Sequence, residues 1–253
     1  MSLINRAILR SRKTANRYIA SRFYKTFGAK YAKDGLVTKH GAEFAYEPRF
    51  VNAYNNAKRI GAWHGADIEW RAHVIAWAAE MGSKLDGDFV ECGVDFGGTA
   101  MVALQFSGIA NTERKFYLLD TFEGLDDRLI NEAERARGLK SGTYPKSFDK
   151  VKSSFAPFKN VEIIQGAVPD TLMQVKAKKV AFLSIDMNCV APEIAAGDFF
   201  WPKMVPGAPI ILDDYGFSKH EEQRKAWDAF ADARGLTVLS LPTGQGMLMK
   251  PSA

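Results

Sequence analysis

Short apolar runs alternate with amphipathic stretches from residue 87 to the end of the chain. The runs cover 88–92, 115–119, 161–165, 180–185, 208–212, 236–241 and 246–249. Helical patterns fill several of the intervals, at 99–109, 148–156, 190–204 and 219–234. This alternation predicts a parallel β-sheet with helices on both faces. Residues 242–245 are too few for a crossover helix, so the last two runs should form an antiparallel hairpin at the sheet edge.

The chain before this core divides into two parts. Residues 41–86 hold many aromatic side chains and two helical patterns, the second opening at 67–70, and predict a helical cap on a core that covers 87–253. Residues 1–40 carry ten Lys and Arg against one acid, Asp34, and predict a basic helical extension. Three roles stay open for it: docking on the body or on a second subunit in a homo-oligomer, contact with an anionic membrane or polyanion, and a targeting-like or disordered tail.

The composition is that of an ordinary globular protein, with 47% hydrophobic and 25% charged residues. No apolar run approaches the roughly 20 residues of a membrane span, and no signal-peptide core is present. Cys92 and Cys189 lack metal-type spacing, so we expect reduced thiols in a cytoplasmic protein. Because the excess positive charge lies in residues 1–40, the net charge of +5 does not predict a nucleic-acid partner.

The first core run leads into a glycine turn. The segment GDFVECGVDFGGTAMVAL gives a strand ending near Glu91, a G-x-x-x-G-G turn and a helix start. This arrangement binds nucleotide-like ligands at the crevice of an open parallel sheet, because glycines permit close approach and free N–H groups face the ligand. The spacing differs from the G-x-G-x-x-G of dinucleotide sites and fits S-adenosylmethionine better. The alternative is a tight strand–helix connection without a ligand.

Acids follow several of the other strands. Asp120 ends the second run, where a carboxylate can accept both ribose hydroxyls of a nucleoside. Asp186, Asp213 and Asp214 end the fourth and fifth runs and should meet at one edge of the sheet. Gathered like charges are costly unless neutralised, and an all-oxygen cluster suits Mg²⁺. The alternative is that one of Asp213 and Asp214 caps the next helix while the other pairs with Arg or Lys.

These motifs together resemble a known family. The stretches VECGVDFGGTA, LLDTFEGL, GAVPDTL, LSIDMN, WPKMVPGAPIILDDYG and QRKAWDAFADARGL follow the order of the motifs of the macrocin O-methyltransferase (TylF/MycF-like) family. The resemblance covers roughly 43–250, including EPRFVNAY and the Trp70-Arg71 segment, and leaves out 1–40. It implies a Rossmann-like class I S-adenosylmethionine methyltransferase fold with a seven-stranded, mostly parallel sheet. Enzymes of this family use S-adenosylmethionine and Mg²⁺ to methylate sugar hydroxyls on natural products.

The resemblance also implies roles for individual residues. The residues implied to contact the methionine part of the cofactor are Glu91, Gly93, Gly97, Gly98 and Thr99. Those implied to contact the ribose are Asp120, Thr121 and Phe122, and those implied to lie beside the adenine are Gly166, Ala167 and Val168. The implied metal ligands are Asp186, Asp213 and Asp214, with Asp186 also a cofactor contact and the general base. The chain departs from the family at 188–190, where a second acid and a tyrosine are usual, and at 206–208, where P-G-A replaces P-G-G.

We therefore predict an Mg²⁺-assisted O-methyltransferase that acts on a small-molecule sugar or glycoside hydroxyl. Tyr215 and His220 follow the metal pair and are candidate acceptor contacts. The insertion 126–150 is either a lid over the site or a solvated loop. Two other functions remain open: methylation of a catechol-like phenol, and a non-catalytic protein that binds a polyanion or membrane through its basic N-terminus.

Overall fold

A computed structural model of the chain describes Arg22 and residues 26–252. Its core is a seven-stranded sheet built from β3 (Asp88–Cys92), β4 (Phe116–Asp120), β5 (Val161–Gln165), β6 (Val180–Ile185), β7 (Pro209–Leu212), β8 (Leu239–Ser240) and β9 (Gly246–Met249). The strand order is β5-β4-β3-β6-β7-β9-β8. The strands β3 to β7 run parallel, and β9 pairs antiparallel with both β7 and β8. The predicted sheet with its terminal antiparallel pair is confirmed.

The chain order creates a switch point beside β3. From β3 the chain proceeds to β4 and β5 on one side, then returns to β6 and β7 on the other. Crossovers on the two sides of β3 lie on opposite faces of the sheet, so a crevice opens at the carboxyl ends of β3 and β6. The sequence motifs at the strand ends therefore converge on this crevice.

Helices cover both faces of the sheet. They are α1 (Pro48–Arg59), α2 (Glu69–Ser83), α3 (Gly98–Phe106), α4 (Glu132–Ala136), α5 (Phe148–Phe155), α6 (Val190–Phe200) and α7 (Glu221–Asp232). Alternate strand residues point to opposite faces. Phe89, Phe116 and Phe182 thus face the layer of α1, α2, α3 and α5, whereas Val90 and Leu183 face α6 and α7. The three phenylalanine rings contact one another with centroids 5.1 to 6.4 Å apart.

Two predicted elements are shorter than the sequence pattern suggested. The run 236–241 forms only the two-residue strand β8, whose residues are both exposed at the sheet edge. The helical pattern 190–204 ends at Phe200 and continues as a 3₁₀ turn over Trp201–Lys203. Pro202 lies in that turn, where its ring and missing N–H oppose an α-helical continuation.

The described part of the N-terminal extension contains a β-hairpin that the sequence analysis did not predict. Its strands are β1 (Tyr31–Lys33) and β2 (Leu36–Thr38), paired antiparallel. The two-residue turn, Asp34 and Gly35, has φ values of 52° and 74°. Positive φ at both positions is the geometry of a tight hairpin turn, which Asp-Gly favours. Residues 1–21 and 23–25 of the predicted helical extension lie outside the described residues, and the boundary at residue 40 stays a prediction.

Tyr31 and Lys33 fasten this hairpin to the first turn of α2. The Tyr31 hydroxyl donates to Glu69 Oε2 at 3.1 Å, and Lys33 pairs with the other oxygen of the same carboxylate. The predicted cap is helical, with α1 begun by Pro48 and by the Glu47 side chain, which accepts the N–H groups of Arg49 and Phe50. Within the part of the chain that the structure describes, no helix is long and apolar enough to span a membrane.

Candidate active site

A cavity of about 300 Å³ opens at the carboxyl ends of the five parallel strands β3 to β7. Its volume lies at the lower end of the range for small-molecule sites. Its walls come from the glycine turn, the ends of these strands, the cap and the insertion. The polar or aromatic lining side chains include Trp63, His64, Arg71, Asp95, Asp120, Thr121, Phe122, Asp126, Tyr144, Asp186, Asn188, Asp213 and Asp214.

The three glycines of the turn are required by close approach. Gly93 has φ +86°, and a Cβ there would lie 1.8 Å from the Asp186 carbonyl oxygen, so the ends of β3 and β6 could not come together. A Cβ at Gly97 would lie 2.5 Å from the Phe155 ring, and one at Gly98 would lie 2.4 Å from Ala62 Cβ. Of the three, Gly93 lines the cavity, while Gly97 and Gly98 admit neighbouring helices.

Glu91 and Thr99 lie on either side of this turn. Glu91 is 1% exposed, and neither carboxylate oxygen has a hydrogen-bond partner among the described residues. Burial, with the nearby Asp120 charge, raises the pKa of Glu91 well above its ordinary value, which favours the neutral carboxyl. Thr99 is half-buried in the first turn of α3. Neither Glu91 nor Thr99 lines the cavity, so their contact with the methionine part of the cofactor stays a prediction.

Asp120 connects the end of β4 to the glycine turn. Its Oδ2 accepts the N–H groups of Val94 at 2.6 Å and Asp95 at 2.9 Å. Its Oδ1 accepts the N–H of Phe122 at 2.7 Å. Thr121 and Phe122, beside it, also line the cavity, and Phe122 has φ +54°. One carboxylate thus fixes two loops at the position where a nucleoside ribose was predicted.

Gly166, Ala167 and Val168 follow β5 and form a small, mostly apolar patch of the cavity wall. Gly166 has φ +142°, and a Cβ there would lie 2.6 Å from the Thr171 methyl group. Val168 is 4% exposed. The structure therefore gathers these residues beside Asp120, as the predicted adenine contact requires.

Asp186, Asp213 and Asp214 converge on the opposite side of the cavity. Each offers a carboxylate oxygen, and these oxygens lie within 4.8 Å of one another. Strand register sets the arrangement, because Asp186 N–H donates to Cys92 O and Asp213 N–H to Ile185 O. Burial and neighbouring carboxylates raise the pKa of both Asp186 and Asp214 well above their ordinary values. An all-oxygen set with unfavourable like charges fits a hard divalent cation.

Donors surround this cluster. Asp213 accepts from Arg71 Nη1 at 2.8 Å and from Gln245 Nε2 at 2.9 Å. Asn188 Nδ2 donates to Asp186 at 3.3 Å. Asp213 therefore pairs with an arginine, which is what the alternative to metal binding predicts for one of the two acids. The same residue also belongs to the cluster. The two interpretations are compatible because each carboxylate oxygen has more than one lone pair.

The two predicted acceptor contacts lie behind the acidic cluster. The Tyr215 side chain is directed towards α7, where its hydroxyl donates to Asp228 Oδ1 at 2.6 Å, and 8% of the residue is exposed. His220 Nδ1 lies 3.4 Å from Asp214 Oδ2. Burial lowers the pKa of His220, which favours the neutral ring. His220 therefore neighbours the cluster, neither residue lines the cavity, and an acceptor contact for either stays a prediction.

Sequence reasoning missed a polar pair on the cap side of the cavity. His64 Nε2 lies 3.2 Å from Asp95 Oδ2, and His64 and Trp63 both have positive φ. Asp95 Oδ1 is buried without a hydrogen-bond partner among the described residues. Asp95 lines the cavity, so its carboxylate is a charged group of this wall. The position of Asp95 inside the turn was the available signal, whereas the approach of His64 depends on the packing of the cap.

The insertion 126–150 packs over the mouth of the cavity. Asp126, Leu129, Tyr144 and Pro145 contribute to the lining. The Tyr144 hydroxyl donates to Asn188 Oδ1 at 2.8 Å, which places a tyrosine near Asp186 although residues 187–190 contain none. Glu134 is 1% exposed and accepts the Val190 N–H at 2.7 Å. The insertion is therefore a wall of the site, and its opening as a lid stays a prediction.

Comparison with known proteins agrees with this geometry. One relative is the 8-demethyl-8-(2,3-dimethoxy-alpha-L-rhamnosyl)-tetracenomycin-C 4'-O-methyltransferase of Streptomyces olivaceus, 25% identical over 176 residues. The alignment covers 65% of this chain and 64% of the relative, so the chain spans less than two thirds of that relative's length.

Solved structures show the same fold at low sequence identity. The O-methyltransferase NovP superposes with a TM-score of 0.61 at 20% identity over 72% of this chain and 80% of its own. The calicheamicin methyltransferase CalS11 superposes with a TM-score of 0.56 at 14% identity, over 80% of this chain and 93% of its own. An O-methyltransferase from Bacillus cereus, solved with S-adenosylhomocysteine, gives 0.55 at 14% identity over 82% and 96%. The chain therefore has the class I S-adenosylmethionine methyltransferase fold.

The sequence profile of the macrocin-O-methyltransferase family (TylF) matches residues 74–240, well over half of the 253-residue chain. The match includes the glycine turn, Asp120 and the three acids of the cluster. The chain belongs to the macrocin O-methyltransferase family.

Proposed function

We propose that this protein is an S-adenosylmethionine-dependent O-methyltransferase that methylates a hydroxyl of a sugar or natural-product glycoside, assisted by Mg²⁺ at Asp186, Asp213 and Asp214. The observation that carries the proposal is the acidic cluster, which faces the same cavity as Asp120 and the glycine turn. Family membership supports the reaction. The tetracenomycin relative, whose named substrate carries a rhamnosyl group, supports a deoxysugar as the acceptor.

The cavity wall divides into a donor half and an acceptor half. Asp120 and the 166–168 segment would hold the nucleoside of S-adenosylmethionine, and the Asp95 carboxylate would face its ammonium group. When bound, this cofactor supplies a methyl group on a positively charged sulfur. The insertion and Tyr144 close the cavity on the acceptor side, which excludes water and limits the orientations of the sugar.

Asp186 is the proposed general base. A neutral sugar hydroxyl is a weak nucleophile, and Mg²⁺, when bound, would lower the pKa of a hydroxyl that it contacts. In the transfer, the hydroxyl oxygen would bond to the methyl carbon, the carbon–sulfur bond would break to leave neutral S-adenosylhomocysteine, and the hydroxyl proton would pass to the Asp186 carboxylate. Without a cation, burial and the neighbouring carboxylates favour the protonated form of Asp186, and Mg²⁺ at the cluster would favour the ionised carboxylate that can accept the proton.

A labelled-methyl assay tests the proposal. Protein, S-[methyl-³H]adenosylmethionine and Mg²⁺ are incubated with methyl glycosides of rhamnose and related deoxyhexoses, with rhamnosylated polyketides, and in parallel with catechols. We expect label in a glycoside, abolished by EDTA and restored by Mg²⁺. Transfer to catechols alone would show that the acceptor is a phenol and not a sugar. Transfer that EDTA does not inhibit would exclude the proposed role of Mg²⁺. Failure to bind S-adenosylmethionine or S-adenosylhomocysteine in a calorimeter would overturn the methyltransferase proposal.

A further inference from the structure

Arg71 links the N-terminal hairpin to the acidic cluster. It lies in the first turns of α2 and lines the cavity. Its side chain and those of Asp34 and Asp213 are 16%, 12% and 19% exposed, so the linkage is largely shielded from water. Both Arg71 and Asp34 lie outside the 74–240 segment that matches the family profile.

The Arg71 guanidinium is held on three sides. Nε donates to Asp34 Oδ2 at 2.7 Å, and Nη2 donates to Asp34 Oδ1 at 3.0 Å, a bidentate pair. Nη1 donates to Asp213 Oδ2 at 2.8 Å. The Phe217 ring lies against the same group, with its centroid 5.1 Å from Arg71 Cζ. Bidentate pairing fixes the plane of the guanidinium as well as its position.

The hairpin turn places Asp34 at this guanidinium. Asp34 has φ +52°, a conformation that Asp and Asn tolerate better than most residues. Tyr31 and Lys33 hold the adjoining strand on Glu69, two residues before Arg71 on the helix. The Tyr31 ring also meets the Trp70 ring edge-on at 6.3 Å. The position of Asp34 is therefore fixed by a hairpin that has its own contacts with α2.

This arrangement leaves Asp213 with one orientation. Arg71 holds Oδ2 and Gln245 holds Oδ1, so the carboxylate cannot rotate without losing a hydrogen bond. We infer that Asp34 and Arg71 form a positioning pair that orients Asp213 for the divalent cation, an inference that rests on the metal in the proposed function. Hydrogen-bonded partners of ligating carboxylates typically change metal affinity roughly 10- to 100-fold when they are removed. The hairpin is then part of the active site.

Titration calorimetry of Mg²⁺ into protein saturated with S-adenosylhomocysteine tests the pair. Asp34→Asn keeps the turn geometry and one acceptor oxygen but removes the charge that holds the guanidinium. Arg71→Lys keeps the charge but cannot span both carboxylates. We expect each variant to bind Mg²⁺ at least tenfold more weakly, with S-adenosylhomocysteine affinity within twofold of wild type. The double variant should lose no more Mg²⁺ affinity than the single variant with the larger loss, because both substitutions act through one interaction.

Asp198→Asn is the matched control, since Asp198 also accepts a hydrogen bond from an arginine, Arg234 at 2.8 Å, away from the cavity. Its Mg²⁺ affinity should equal that of wild type. Wild-type Mg²⁺ affinity in both Asp34→Asn and Arg71→Lys would overturn the positioning pair alone. If both variants lost Mg²⁺ affinity and S-adenosylhomocysteine affinity to the same extent, the pair would stabilise the fold in general and would not position Asp213 for the cation. Wild-type protein that binds no Mg²⁺ would overturn the metal proposal and the pair together.

Discussion

Asp120 has two roles that a ligand contact alone would not reveal. Its carboxylate accepts N–H groups from the glycine turn and from the loop after β4, so it shapes the cavity before any ligand arrives. An acid that fixes its own surroundings is preorganised for the ribose contact that we propose for it, which would reduce the entropy lost on binding.

We expect Asp120→Ala to weaken S-adenosylhomocysteine binding at least tenfold in a calorimetric titration. The substitution removes a charged acceptor and leaves backbone N–H groups of the turn unpaired. Glu123→Ala, in the same loop but 58% exposed, is the control and should bind normally. Equal affinity in the Asp120 variant and wild type would mean that the ribose site lies elsewhere.

Asp213→Asn should lower the rate of methyl transfer more than tenfold while S-adenosylhomocysteine affinity stays within twofold of wild type. The amide removes one negative charge from the cluster and turns an NH₂ group towards either Arg71 or Gln245, both of which donate. Asp198→Asn again serves as the control for the substitution itself. Normal turnover by the Asp213 variant would exclude the proposed metal mechanism.

At the scale of elements, α6 and α7 are joined by a buried carboxylate. Glu193 accepts from Trp227 Nε1 at 2.9 Å, from Gln223 Nε2 at 3.1 Å and from Met187 N–H at 3.3 Å. Gln223 also reaches Asp214 Oδ2 at 3.5 Å, so this contact between two helices extends to the acidic cluster. Burial is the main cause that raises the pKa of Glu193 from 4.5 to about 7.

The Glu193 shift predicts a pH dependence of folding stability. A raised pKa in the folded state means that the native protein binds the proton more tightly, so this stabilisation is complete below pH 4.5 and is lost as the pH rises through about 7. Relative to Glu193→Gln, wild type should lose about 3 kcal/mol of unfolding free energy across that window. Urea unfolding at pH 5, 6, 7 and 8 measures the difference. A constant difference would show that Glu193 titrates normally.

The strand and helix pattern predicted most of these elements because the core strands are buried on both faces and their apolar runs are unmistakable. The hairpin at 31–38 was missed because its strands have three residues each and its position depends on contacts with α2. Position along strands likewise predicted the acids that meet at the sheet edge. The approach of Arg71, His64 and Tyr144 depends on how separate layers pack, which periodicity does not encode.

At the scale of the whole molecule, the cavity lies where the two helical layers and the sheet meet. Ligand contacts are proposed on β3, β4, β6 and β7 and on both the cap and the insertion. A ligand in this cavity is therefore bound by the folded chain and not by any isolated segment, so binding should raise the stability of the entire fold.

We expect S-adenosylhomocysteine at 100 times its dissociation constant to add about 2.7 kcal/mol of stability and to raise the melting temperature by roughly 5 to 10 °C. Scanning fluorimetry with and without the ligand measures the shift. NAD⁺ at the same concentration is the control, because its pyrophosphate requires a different glycine spacing. Equal shifts for the two ligands would contradict the specificity assigned to the turn.

The hydrogen bond between Arg71 and Asp213 joins residues 142 positions apart. At ordinary translation speeds, on the order of ten seconds separate the synthesis of these two residues on the ribosome. Asp34 and Arg71 are both made before Asp213, so the parts of their ion pair are present before the acidic cluster is complete. A polypeptide released before residue 213 would contain the hairpin but lack the carboxylate that we infer it positions.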